Sequence, residues 1–300
     1  EVKEDVEAGA ALNQALRKHP KVFDDLYCNL VASGEQSGSL DTMLRRLADY
    51  QENMLKLRAK VKQAMIYPTA IVAFAIIVAI FMLWKVIPVF GGIYQELGAQ
   101  LPGLTASVLG LSNFVSDYIV FIVVGLIAII VLYRQWSKTA AGREVVDRTK
   151  LKLPVMGNLM QKISLSRFTR TLSTLIGGGV PMLESLKIAS TTTDNVIIER
   201  QVLNARQMVS EGKNLHESLK KASQDQFPAM MIQMVNVGES TGTLDEMLGK
   251  LANFFDDEVD NAVSSLLSAL EPIVLIFVGG IVGTLVISMY LPLFNLIQQF

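Results

Sequence analysis

Apolar residues along this 300-residue chain follow two patterns. In three stretches they run on without a charge, and elsewhere they recur at the three- and four-residue spacing of amphipathic helices. Gln63 to Trp84 is uncharged, and Tyr67 to Met82 within it is almost wholly apolar. A second uncharged stretch runs from Tyr118 to Tyr133, and a third covers the 29 residues from Pro272 to Phe300. A bilayer core of about 30 Å needs about 20 apolar helical residues, whereas a buried core helix is shorter and keeps a polar edge. The pattern predicts membrane spans over 67–90, 114–134 and 272–297.

The amphipathic remainder reads as short helices. Phe168, Leu172, Leu175 and Ile176 make one stripe, stopped by Gly177-Gly178-Gly179, and Pro181 suits the next helix start. Ile198, Val202, Ala205 and Val209 make another, stopped by Gly212. Leu215 and Leu219 mark a short helix, and Met231, Met234 and Val235 the next, ending near Gly238. Thr243 with Glu246 fits a capping box opening a helix that buries Leu244, Met247, Leu248, Leu251 and Phe255. Six helices and no strand are expected between about Ser164 and Leu270.

The chain repeats itself. Residues 31–90 align with 235–294 without a gap at an offset of 204. Val31, Gly34, Glu35, Gly38, Leu40, Asp41, Met43, Leu44, Leu47, Ala48, Pro68, Val78, Pro88 and Phe90 each meet their own residue type 204 positions later. Upstream, Gly9, Leu12 and Leu16 match Gly212, Leu215 and Leu219 at an offset of 203. The repeating unit is a helical domain leading directly into a span. Copy one starts abruptly: Gly9 has eight residues before it, and residue 1 is Glu. A first domain cut short at its start is therefore expected. Pro68 and Pro272, inside the helices that join domain to span, are expected to kink them. The resulting fold class is an all-α membrane protein with two repeated six-helix bundle domains, the first truncated, and three transmembrane helices. The boundaries are 1–66 and 135–271 for the domains, with 91–113 as the loop between the first two spans.

Charge sets the orientation. With 27 Lys+Arg against 28 Asp+Glu the net charge is −1, and charged residues are only 18%. That excludes a disordered chain and a nucleic-acid binder, which needs a basic field. Lys56, Arg58, Lys60 and Lys62 precede the first span, and Arg134, Lys138, Arg143, Arg148, Lys150 and Lys152 follow the second. Pro88 to Ser116 has no basic residue and one acid, Glu96. The basic flanks are expected in the cytoplasm, with the loop and the C-terminus outside. Trp84, Tyr133 and Tyr290 suit membrane interfaces. The lone Cys28 reads as a small buried hydrophobe.

No catalytic constellation is visible. The glycine triplet is followed by Val-Pro and lacks a phosphate-binding lysine. His19 and His216 stand singly, without zinc-ligand spacing or a nucleophile. Asp117 is the only acid within a predicted span, too little for intramembrane proton chemistry. No enzyme, cofactor or metal is expected. The corners Gly34-Glu35-x-x-Gly38 and Gly238-Glu239-x-x-Gly242, with Asp41 and Asp245, are either turn chemistry or partner-facing contacts, Glu35 and Glu239 being available to a basic patch. The acidic run Asp256, Asp257, Glu258 and Asp260 is a solvated face or a site for a cation or basic partner. The equivalent helix of copy one carries the basic residues Lys56 to Lys62, so the copies could pair through opposite charge. Gly279 and Gly283 space a small-residue face on the third span, suited to close helix packing or simply common in membranes.

The duplicated G-E-x-x-G-x-L-D corner, the span after each copy, and Arg167-Phe168-x-Arg170-Thr171-Leu172 leading to Gly179-Val180-Pro181-Met182-Leu183-Glu184-Ser185-Leu186 resemble one family. It is the inner-membrane platform proteins of type IV pilus and type II secretion machines, the GspF/PilC family. The resemblance implies a multi-pass protein of the bacterial cytoplasmic membrane. It implies as partners a hexameric cytoplasmic assembly or retraction ATPase, pilins or pseudopilins, other inner-membrane assembly proteins, membrane lipid, and further copies in a homo-oligomer, with no nucleic acid. The platform would couple the ATPase to insertion or extraction of pilins. The competing reading is a small oligomeric transporter or channel, which would need polar groups at membrane depth; the first and third spans offer only Thr69, Thr284 and Ser288.

Overall fold

The computed structural model describes residues 1–96, 102–153, 156–223 and 226–297, and these hold no strand. The helices are α1 (Val2–Glu7), α2 (Leu12–Arg17), α3 (Asp25–Ser37), α4 (Leu40–Phe81), a π-helical turn (Met82–Val86), α5 (Ile87–Glu96) and α6 (Gly103–Trp136). There follow α7 (Ala140–Lys152), α8 (Met156–Gly177), α9 (Met182–Thr192), α10 (Val196–Ser210), α11 (Leu215–Ala222), α12 (Ala229–Thr241) and α13 (Leu244–Ile297). They divide into two compact units, Glu1–Val61 with Ala140–Ser264, and Lys62–Thr139 with Ser265–Phe300.

The duplication is visible element by element. Shifted by 204, α3 coincides with α12 and the start of α4 with the start of α13. Gly38 and Gly242, after α3 and α12, adopt matching left-handed conformations (φ 68°, ψ 14° and φ 73°, ψ 13°). Such a C-terminal residue must be one without a Cβ penalty.

The main core of the first unit lies under copy two. Leu165, Phe168 and Leu172 from α8 meet Ile198 and Val202, Leu215 and Leu219, Met231 and Val235, and Leu248, Leu251 and Phe255, all buried. The stripes read from periodicity are those that pack. Six helices, α8 to α13, build this part; α8 starts at Met156, earlier than expected, and the amphipathic α7 precedes it. Helix α7 is fixed to the start of α10, where the buried Asp147 carboxylate accepts the Val196 N–H at 3.1 Å.

Copy one has only a small core of its own, Leu16, Cys28 and Val31 with Leu12, Phe23 and Leu40 packed against it. Burial pushes the Cys28 thiol up from its ordinary pKa, in keeping with a structural hydrophobe. Its remaining apolar face closes on copy two: Leu26, Leu30, Met43 and Leu47 share a cluster with Leu175, Val180 and Ile188. The Tyr50 hydroxyl lies 3.2 Å from that of Thr171.

Among the described residues three helices are long and apolar enough to cross a membrane, Leu40–Ile93, Gly103–Trp136 and Leu244–Pro292. Along their apolar stretches the side chains point outward almost throughout; Phe74, Phe121 and Ile276 are 69%, 74% and 76% exposed. An apolar surface of that extent fits lipid, not water. The expected loop over 91–113 is mostly helical: α5 reaches Glu96 and α6 begins at Gly103, while 97–101 lie outside the described residues. The segment from Gly103 to Ser116 carries no charge or proline, and Pro102 sits at the N-cap with φ −56°.

The helices continue through Pro68, Pro272 and Pro292. A π-helical turn follows at Met82–Val86, where the Ile87 N–H reaches back five residues to the Met82 carbonyl.

Candidate partner-facing corners

The glycines, the glutamate and the leucine of the duplicated motif each have an identifiable task, and these tasks agree between copies. Gly34 and Gly238 let the next helix cross close. A Cβ on Gly34 would lie 3.0 Å from the Leu40 Cα, and one on Gly238 would lie 2.9 Å from the Leu244 Cα. Gly38 and Gly242 end the helix in the left-handed region and send their N–H groups to the Gly34 and Gly238 carbonyls. The following residues, Ser39 and Thr243, bond the same carbonyls at 3.0 Å. Leu40 and Leu244 turn inward.

Of the two readings of Glu35 and Glu239, turn chemistry and contact with a basic patch, the hydrogen bonds of the chain bear on the first. Both carboxylates are engaged within the chain, each on the first turn of the short helix beside it. Glu35 accepts the N–H groups of Leu12 and Asn13 at 2.6 and 3.1 Å. Glu239 accepts those of Leu215 and His216 at 2.6 and 3.2 Å. A helix start has N–H groups without partners and a partial positive charge, so a carboxylate fits there on both counts. Neither α2 nor α11 has a side-chain cap of its own. In copy two the His216 ring adds a 2.7 Å contact through Nδ1. Burial alone would raise the Glu239 pKa, but the bonds from His216 and the two N–H groups prevail and hold it below the usual carboxylate range.

The capping box expected at Thr243 and Glu246 does not form. Thr243 pairs its hydroxyl with Thr241 at 2.7 Å, and Glu246 pairs with Lys250 at 2.7 Å. Copy one does the same with Ser37 and Ser39 at 2.6 Å. A hydroxyl two residues back, across the glycine, is closer to hand than the N–H at the third helical position.

Asp41 and Asp245 remain exposed at the corners. Asp41 is held only by Arg45, one helical turn on, at 3.1 Å.

The acidic run is largely matched by cations from neighbouring helices of the same unit. Asp256 meets Ser166 and Arg170, Glu258 meets Lys162 at 2.6 Å, and Asp260 meets Lys60 at 2.6 Å. The last contact joins α4 to α13, so opposite charge does pair the two copies, while Lys56 turns to Glu52 on its own helix.

The glycine triplet proves to be more than a helix stop: it receives copy one. A Cβ on Gly178 would come within 2.7 Å of Leu30, and one on Gly177 would strike the Arg46 guanidinium. Gly179 takes φ 78°, and the Ser33 hydroxyl donates to the Gly178 carbonyl. The signal was present in the sequence as three successive glycines where one ends a helix. In copy two the position equivalent to Ser33 is Val237, which is 49% exposed. One corner is thus covered within the chain, and the other is open.

Among the described residues, nothing beyond the adjoining backbone of their own helix lies within 4 Å of a Cβ placed on Gly279 or Gly283. Their face is unfilled by the described residues.

The chain's relatives match along its length. The family described as type II secretion system (T2SS), protein F, matches residues 1–88 and again 168–292. The type IV pilus assembly protein PilC of Pseudomonas aeruginosa is 42% identical over 297 residues, covering 99% of this chain and 79% of the relative. PilC of Myxococcus xanthus is 43% identical over 98% of this chain and 70% of its own length. The type II secretion system protein F of Vibrio cholerae is 35% identical over 98% of this chain and 72% of its own. With a double family match and relatives this similar over nearly every residue, the chain belongs to the type II secretion system protein F family.

Proposed function

We propose that the chain is the inner-membrane platform of a type IV pilus assembly machine. In this reading it couples a cytoplasmic hexameric ATPase to the insertion or extraction of pilins. Family membership supports a platform component rather than an enzyme. The higher identity to PilC relatives than to protein F relatives favours the pilus branch. The observation that carries the coupling is the duplicated corner, since each one opens a single helix that includes a membrane-length apolar stretch. A load taken up at a corner therefore acts on a helix with no loop between it and the bilayer. Lys60 on Asp260 ties the two helices together.

Residues 1–66 and 135–271 face the cytoplasm in this reading, with 91–113 and the C-terminus outside, as the basic flanks favour. The open corner of copy two, with Val237, Asp245 and the glycines Gly238 and Gly242, is the candidate partner contact. Asp41, beside Gly34 and Gly38, offers the second. Gly279 and Gly283 are the candidate face for another copy or another assembly protein within the membrane.

The test is co-purification of the full chain from membranes. The cytoplasmic ATPase and pilin subunits should travel with it, and Asp245→Lys should reduce ATPase capture while leaving the protein inserted. A null strain should lose surface filaments and keep normal solute uptake. Lost uptake with intact filaments would overturn the platform reading.

A further inference from the structure

Helix α6 has no counterpart in the repeat, yet it carries two of the three buried hydroxyl side chains described in the second unit, Thr105 and Ser112, the third being Ser288. In an α-helix each carbonyl accepts the N–H four residues on, and proline has none to give. In water such a carbonyl can be hydrated; where burial excludes water it needs a partner from the protein. Pro292 leaves the Ser288 carbonyl in that position, and the Thr105 hydroxyl of α6 donates to it at 2.8 Å. Thr105 and Ser288 are 5% and 2% exposed, so water does not replace the bond.

Pro88 is the equivalent proline of copy one. There the π-helical turn has moved the pairing from four residues to five, Ile87 reaching Met82. In that register Leu83 faces Pro88 and loses its donor. The hydroxyl of Ser112, fully buried, donates to the Leu83 carbonyl, and Ser116 reaches the Trp84 carbonyl at 3.4 Å. Residues 105, 112 and 116 lie on one face of α6. Leu109, on the same face, fits against Gly91, where a Cβ would collide with it. These hydroxyls turn away from their own helix, unlike Ser107, which donates to the Gly103 carbonyl four residues back.

We propose that α6 is a clasp: Thr105 and Ser112 supply the donors that Pro292 and Pro88 remove, and so fix both repeat-related spans against one helix. Each proline and its hydroxyl form one functional pair, and neither is needed for this purpose without the other.

A double-mutant cycle on the full chain in nanodiscs tests this. SDS-induced unfolding is followed by tryptophan fluorescence, since both tryptophans, Trp84 and Trp136, lie in the second unit. Thr105→Val should shift the unfolding equilibrium roughly threefold to twentyfold toward the unfolded side, the range of interhelical hydrogen bonds in bilayers. Thr105→Ser should stay near the parent. In a Pro292→Ala background, where the alanine N–H can serve the Ser288 carbonyl, Thr105→Val should change little. An equal loss with and without Pro292 overturns the proposal. Should Thr105→Val fail to insert, the cycle of Ser112→Ala with Pro88→Ala decides by the same criterion.

Discussion

The two glycines of the copy-two corner are required for different reasons, and asparagine separates them. At Gly238 the backbone is helical, so alanine would gain about 1 kcal/mol of helix propensity. Its Cβ, however, would lie 2.9 Å from the Leu244 Cα and 3.1 Å from the Met247 Cβ. The first of these atoms is backbone, which can retreat only by opening the α12–α13 crossing. Overpacking of that kind costs about 1–3 kcal/mol, and a backbone obstacle puts it near the top of the range. A net loss of about 2 kcal/mol follows from the difference. Asparagine, being larger and a poorer helix former, should lose more. At Gly242 nothing lies within 4 Å of a built Cβ, and the cost arises from φ 73° alone. Alanine there should lose about 1–2 kcal/mol. Asparagine, which visits the left-handed region, should lose less than alanine. Hydrogen exchange read by mass spectrometry over α12 and the first turns of α13 measures this in the full chain in nanodiscs. A loss of about 2 kcal/mol appears as roughly thirtyfold faster exchange by local opening. If asparagine relieved the defect at Gly238, or worsened it at Gly242, the assignment of steric cause to one and conformational cause to the other would be wrong.

Three further outcomes follow from the same geometry. Because the Glu239 pKa is held below its ordinary value, protection of the α11 amides should be full above the usual glutamate range, about 4.3, and fall as pH drops through the lower folded value. Glu239→Gln should weaken protection at neutral pH and remove that acid limb, as pH-dependent exchange would register. Lys60→Asp or Asp260→Lys alone should lower the stability of the first unit by less than about 1 kcal/mol at low salt, and the exchanged pair should restore it; the pair is half-exposed, so 1 M salt should erase the difference. Leu30→Ala, at a fully buried position in the joint between copies, should cost about 2–5 kcal/mol and speed exchange in α3 and α8 together; acceleration confined to α3 would show that the copies fold apart.

Much of this molecule was legible because its signals were local or periodic. The stripe Phe168, Leu172, Leu175 and the repeat offset of 204 each rest on spacing alone, and both reappear as packing and as matched helix ends. The corner glycines were legible as turn formers for the same reason. What the sequence concealed depends on partners distant along the chain. Glu239 looked free because Leu215 is 24 positions away, and nothing in either segment announces that the carboxylate faces a helix start. Thr105, Ser112 and Ser116 carry no local signal in the sequence. Their meaning depends on prolines up to 187 positions away (292 − 105), and only a search for hydroxyls opposite prolines would have raised it. Helix within 91–113 was not legible for a local reason: the absence of charge there bears on its side of the membrane and says nothing for or against helix.

The joint between the copies also constrains the order of events during synthesis. Ser33 waits for Gly178, made 145 residues later, and Leu30 waits for Leu175 and Ile188. At roughly 5–20 residues per second the ribosome needs on the order of 7–30 s to bridge that interval. Throughout it, two apolar stretches emerge and must be taken up by the translocation machinery while α3 is still missing its counterpart. A nascent chain arrested before residue 175 should therefore be well inserted yet open to protease around α3, and two separately expressed halves should find each other through the glycine triplet.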